Sequence, residues 1–392
     1  MEAAAELCWE EGGAAAAAQG AVVSCRARWR SENRVPPPRR VVVADDTMKA
    51  DTAWRLACEG TGLLWRGDYH NARQLLQAMA RRADARPRKR SREPASPAEA
   101  FHLHRMAQAQ RARTLGMLLI PVEAGGRIAL RRAPDVGEVL AEAIDGTADA
   151  DLLDGPFVLS LRELLGLIGA HEWRRKGVPV AALGAHIHPR YGVFSPIRGE
   201  YLDLIARVPL PARALAFDIG TGTGVIAAVL ARRGVERVIA TDQDPRALAC
   251  ARDNLARLGL DGAVEVVAAD LFPPGCAPLV VCNPPWVPAK PTAAIERAVY
   301  DPDSRMLRGF LDGLAAHLTA DGEGWLILSD LAEHLGLRSR EQLLGWIAAA
   351  GLRVLGREDI RPRHAKARDA DDALHDARAA ETTSLWRLAI SA

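Results

Sequence analysis

The apolar positions of this 392-residue chain change period near residue 186. Before that point the spacing is mostly helical. "HNARQLLQAMARRA" is amphipathic at helical period, and "SPAEAFHLHRMAQAQRA" opens with Ser96 as cap, Pro97 at the first helical position and Glu99 completing a capping box. "SLRELLGLIGAHEWRRKG" repeats the Ser-x-x-Glu start at Ser160 and Glu163. Between them, "MLLIPVEAGGRIALRR" predicts a hairpin, two apolar runs around a Gly-Gly turn. Residues 48–185 are therefore expected to form a mostly helical accessory domain that recognises a substrate. Residues 1–47 are Ala/Gly-rich, then Arg/Pro-rich, and are expected to be disordered or a gene-model extension ahead of Met48. A basic stretch at 81–92 is expected to be a solvated linker in preference to an RNA-phosphate contact.

From 186 to 392 the runs shorten. "ALAFDI", "ERVIAT", "AVEVVAAD" and "PLVVCN" are apolar or β-branched, and "GVIAAVLARR" and "PRALACARDNLARLG" separate the first three at helical period. The second helical stretch has Asp244 as cap, Pro245 at the first position and Gly259 past its end; Gly234 stops the first. Strands alternating with helices predict an α/β fold with a doubly wound, Rossmann-like parallel sheet. "RPRHAKARDADDALHDARAAE" at 361–381 carries both signs of charge and is expected to be a mobile loop before a last strand, "SLWRLAI".

Composition adds exclusions. With 49% apolar and 26% charged residues and a net charge of +2, the chain has neither the basic excess of a typical nucleic-acid binder nor an apolar run of membrane length. Six cysteines contain no C-x-x-C pair, which disfavours a zinc site or disulfide framework and fits a reducing cytoplasm. No basic n-region marks a secretory signal. His102 and His104 would not share a helix face, and His186 and His188 lack a neighbouring acid cluster, so no metal is expected.

The strand ends carry the chemistry, because ligands of such sheets bind outside the carboxyl ends of the strands. The first is "FDIGTGTGV": Asp218, then Gly220, Thr221, Gly222, Thr223 and Gly224. Glycines there let the backbone approach a ligand, and the following helix directs free N–H groups at it. The G-x-G-x-G spacing differs from the dinucleotide fingerprint, and a carboxylate directly before the loop suits an ammonium or sulfonium better than a pyrophosphate. Asp242, ending the second strand, can accept from ribose hydroxyls, and Asp270, ending the third, from an exocyclic amine. The fourth ends in Asn283-Pro284-Pro285-Trp286. Neither proline can continue a strand ladder.

These segments resemble the successive motifs of class I S-adenosylmethionine-dependent methyltransferases, in the branch with an Asn-Pro-Pro-aromatic motif. "AVYDPDSRMLRGFLDGLAAHL" further resembles the HemK-type protein-glutamine methyltransferases. The likeness covers roughly residues 190–330, lacks the usual "PRPETE" wording upstream, and departs at Trp286, where that family usually has tyrosine. It implies that Gly220 to Gly224, with Asp218, cradle the methionine portion of S-adenosylmethionine. Asp242 would hold the ribose, and Asp270 with Leu271 the adenine edge. Asn283 and the Pro284 carbonyl would grip the two hydrogens of a planar nitrogen beside Trp286. The implied substrate is a glutamine amide of a protein such as a translation factor or ribosomal protein. Exocyclic amines of RNA or DNA bases remain the alternative, because base methyltransferases share the motif. Cys282 is read as a small strand residue rather than a nucleophile.

Overall fold

Alternation builds strands at the start of the chain. In β1 (Glu6–Gly12) and β2 (Val22–Trp29), Leu7 faces Ala27 and Trp9 faces Cys25, while Glu6 lies opposite Arg28. The apolar face of this pair joins Leu64, Leu119 and Val158 in one cluster. The computed structural model describes residues 5–12, 22–85, 94–145, 147, 149–196, 199–291, 294–362 and 374–391. It divides into two units, one of residues 1–93 and 103–171 and the other of residues 94–102 and 172–392. The expected division at 185/186 thus moves to 171/172.

The first unit continues with β3 (Arg40–Ala44), α1 (Ala50–Cys58), β4 (Thr61–Trp65), α2 (Tyr69–Ala85) and α3 (Pro97–Leu115), whose first turns belong to the second unit. It ends with β5 (Leu118–Val122), α4 (Gly137–Ile144), β6 (Phe157–Ser160) and α5 (Leu161–Lys176). Among the described residues the strands form one six-stranded sheet in the order β1-β2-β6-β5-β4-β3. Two expectations are corrected here. Residues 1–47 supply three of these strands and are not disordered where they are described, because Leu7 is buried against Leu64, Leu119 and Val158, far along the chain. Residues 48–185 are α/β rather than mostly helical. The expected Gly-Gly hairpin does not form either, since β5 pairs with β6 and β4 and the glycines lie in a 3-10 turn. Both capping predictions match the structure: Ser96 accepts from Glu99 N–H at 3.2 Å, and Ser160 from Glu163 N–H at 3.0 Å. The Glu163 carboxylate is further engaged by buried Arg30. The basic linker lies outside the described residues beyond Ala85, where α2 ends.

The second unit opens with the hairpin β7 (Val178–Val180) and β8 (Ala185–Ile187), then α6 (Glu200–Arg207). There follow β9 (Leu215–Ile219), α7 (Val225–Arg232), β10 (Arg237–Asp242), α8 (Pro245–Arg257), β11 (Val264–Ala268) and β12 (Ala277–Cys282). The chain ends with α9 (Arg305–His317), β13 (Leu318–Ser329), α10 (Leu331–His334), α11 (Arg340–Ala349), β14 (Leu352–Ile360), α12 (His375–Ala380) and β15 (Thr383–Ile390). Part of the expected loop at 361–381 is therefore helix α12, while residues 363–373 lie outside the described residues. The seven-stranded sheet runs β11-β10-β9-β12-β13-β15-β14, parallel from β11 to β13 and antiparallel at β15.

Both faces of this sheet are covered, which explains why "PLVVC" is continuously apolar instead of alternating. Leu279 and Val281 join one layer with Leu202, Ile205 and Val229 of α6 and α7. Val280 and Cys282 point the other way, to Leu307, Phe310, Leu311 and Leu314 of α9. The α9 residues recur at i, i+3, i+4 and i+7, and each fully buried side chain stabilises by about 1.5–3 kcal/mol. From β9 the chain winds outward one way through β10 to β11 and the other way through β12 to β13. Between β9 and β12 lies the topological switch point, where the carboxyl ends diverge and leave a crevice.

Candidate active site

Asp218 is the fourth residue of β9 and is fully buried. Its Oδ2 accepts the Thr221 hydroxyl at 2.6 Å and the Ala227 N–H at 3.1 Å, which ties the glycine loop to the first turn of α7. Its Oδ1 is buried with no hydrogen-bond partner among the described residues. Burial pushes this carboxyl up to about 7, against the two donors and with a smaller contribution from Asp242. A buried carboxylate oxygen without a partner is costly, so the position favours a cationic ligand group nearby.

The three loop glycines do three different things. A Cβ on Gly220 would collide with the Met306 methyl group. Gly222, at φ +55°, has open space where its Cβ would be, leaving room for a ligand to approach. Gly224, at φ +79°, packs on α8, where a Cβ would sit 3.2 Å from the Ala251 Cα. Thr221 and Thr223 are buried, and the Thr223 carbonyl accepts from Asn254 Nδ2 at 3.0 Å.

Asp242, at the end of β10, braces the same loop. Oδ2 accepts the Gly222 N–H at 3.0 Å and Oδ1 the Asp244 N–H at 2.9 Å. Its carboxyl is raised, first by burial, although these backbone donors oppose the shift. Asp244 then caps α8 by accepting from Arg246 N–H at 2.9 Å, as its sequence position predicts. Asp270 is exposed and paired with Arg305 at 2.8 Å, a partner the motif gave no sign of. Leu271 sits at φ +74° and its carbonyl takes the Thr241 hydroxyl at 2.6 Å.

Asn283 follows β12 directly, across the crevice from the glycine loop: β12 pairs with β9 so that Cys282 lies beside Ile219. Burial holds the Cys282 thiol far above its ordinary range, which leaves it protonated and unsuited to nucleophilic chemistry. Trp286 donates its indole N–H to Asn283 Oδ1 at 2.8 Å. Rather than standing free as a flat wall, its ring packs against both sheet layers and a third cluster of Phe101, Val287, Leu335 and Leu374. Among the described residues no backbone N–H donates to the Pro284 carbonyl.

Asp301 went unsingled in the sequence. Asp301 is buried, donates its N–H to the Val287 carbonyl at 2.9 Å and accepts from Met306 and Leu307 N–H at 3.0 and 3.1 Å. It thereby fastens the chain beyond Trp286 to the start of α9 and sets Met306 over Gly220. The Tyr-Asp-Pro run at 300–302 was its only sequence signal.

The site thus joins a glycine loop with buried carboxylates, across one crevice, to an Asn-Pro-Pro turn. Residues 186–335 match the methyltransferase small domain. The second unit thus contains a stretch similar to the methyltransferase small domain. The release factor glutamine methyltransferase of Cereibacter sphaeroides is 34% identical over 169 residues, 40% of this chain and 58% of that protein. Its namesake in Mycolicibacterium smegmatis is 40% identical over 131 residues, 32% and 46% of the two chains. A ribosomal protein L11 methyltransferase of Sorangium cellulosum is 30% identical over 155 residues, 40% and 41%. The chain spans about half the length of these curated relatives. The residues present suit S-adenosylmethionine: among the described residues Asp218 Oδ1 has no partner, and Gly222 leaves an approach.

Proposed function

We propose that this protein transfers the methyl group of S-adenosylmethionine to a planar nitrogen, most specifically to a glutamine side-chain amide of a protein of the translation machinery. The carrying observation is the switch point itself, where Asn283 and Pro284 follow the end of β12 and the Gly220–Gly224 loop follows the end of its neighbour β9. Bound there, the cofactor supplies an electrophilic methyl group on a sulfonium. Asp218, Gly220 to Gly224 and Asp242 would hold it, and Asp270 with Leu271 would border its adenine, provided Asp270 shares its carboxylate with Arg305.

An amide nitrogen is a poor nucleophile because its lone pair is delocalised into the carbonyl. Two acceptors, Asn283 Oδ1 and the Pro284 carbonyl, can grip both its hydrogens and point the nitrogen at the methyl carbon. They also stabilise the positive charge that develops as the N–C bond forms and the S–C bond breaks. The proton then leaves the methylated nitrogen to water, so no strong base is needed. Support for a protein substrate comes from the relatives, which by name act on release-factor glutamine and on ribosomal protein L11.

The test is transfer of labelled methyl from S-adenosylmethionine to a purified peptide chain release factor and to ribosomal protein L11, with the product mapped by mass spectrometry. Label on a glutamine amide is expected. Label that appears only in an RNA fraction would replace the protein amide with a base amine. Asn283→Ala should abolish transfer and leave cofactor affinity within about tenfold, roughly 1.4 kcal/mol.

A further inference from the structure

We propose that Trp286 is a positioning residue: its indole N–H selects the productive orientation of the Asn283 amide. This rests on the amide-methylation reading and assigns one more residue to that site. An asparagine side chain has two orientations of nearly equal shape, one presenting an acceptor oxygen and the other an NH2 donor. Only the first can receive a substrate N–H. The second sets hydrogen against hydrogen and blocks the grip.

The indole nitrogen is a donor only, so its 2.8 Å contact is satisfied by the oxygen and by no other atom of the amide. An amide oxygen has two lone-pair directions. One is used by Trp286, and the other stays available for the substrate. Everything around this contact is already fixed. Cys282 is locked in β12 between β9 and β13, and Pro284 and Pro285 have restricted φ. The indole packs against three apolar clusters. The Asn283 amide is the last soft torsion at the strand end, and the indole N–H removes its freedom. A phenylalanine at 286 would keep an aromatic ring and lose the donor.

The experiment is a double-mutant cycle read by steady-state transfer to the release factor and by cofactor titration. Trp286→Phe should lower kcat about threefold to tenfold, the range one hydrogen bond allows, with the Kd of S-adenosylmethionine unchanged. Asn283→Asp replaces the amide by two equivalent acceptor oxygens that need no orienting. In the Asn283→Asp background, the added Trp286→Phe change should cost less than twofold. Equal losses in both backgrounds, or no loss in either, would overturn the orienting role.

A second readout needs no substrate. The 15N–1H resonance of the Trp286 indole should move to the position of a free indole in Asn283→Ala. An unmoved resonance would also overturn the inference. If the unaltered protein transfers to no amide while this resonance does move, the proposed function fails and the Trp286–Asn283 bond stands.

Discussion

Asp218 meets two demands that pull its proton in opposite directions. Without a ligand, burial favours the neutral acid, and its carboxyl rises from the ordinary 3.8 to about 7. The folded chain then binds a proton that the unfolded chain has lost, so this residue's contribution to stability is full below about pH 4 and is lost as pH rises to about 7. A cationic ligand needs the ionised form. Affinity for S-adenosylmethionine should therefore strengthen as pH rises toward 7, by up to about tenfold per unit, and level off above it. Calorimetric titration at several pH values would show this slope for the unaltered protein and its absence in Asp218→Asn. A flat profile for both would remove Asp218 from the vicinity of the ligand's charge. Sequence placed this carboxylate before the glycine loop. That one oxygen is spent on Thr221 and Ala227 while the other is left alone follows from the packing of β9 beneath α7.

At the level of elements, the sequence marks a boundary wherever its cause is local. Asp244, Pro245 and Gly259 bound α8 because a cap, a fixed φ and a left-handed residue act within one turn. Gly224 is where a local requirement meets a distant one, needing φ +79° for the turn and a missing Cβ for the α8 backbone. Gly224→Ala should destabilise by about 2 kcal/mol or more, the left-handed penalty plus overpacking, seen as a lower midpoint in urea. A midpoint unchanged by the substitution would show that α7 and α8 can part without cost. The predicted hairpin failed for the opposite reason. Its first apolar run found a partner in β6, beyond α4, and a short-range turn signal carries no information about that pairing.

Across the whole molecule, the largest departure lies in the first unit. Its sheet takes β1, β2 and β3 from residues whose composition suggested disorder, and β2 pairs with β6 across more than a hundred residues. A chain beginning at Met48 would lack all three strands and leave the edges of β4 and β6 unpaired. We expect such a chain to be insoluble or aggregated, by size-exclusion chromatography, because open apolar edges template association. A monodisperse, fully folded product would mean that the three strands are dispensable.

The chain's own order of residues determined the C-terminal architecture and the location of its chemistry. Prolines without N–H groups, glycines with free φ and acids at strand ends impose themselves through covalent geometry and short-range sterics. Tertiary structure alone decided how those groups are used. Trp286 on Asn283, Arg305 on Asp270 and Asp301 beneath Met306 depend on which surfaces meet when helices cover the sheet. The six-stranded sheet was decided in the same way. Its strands become stable only when partners remote in sequence bury their apolar face, and no local pattern records a partner's address.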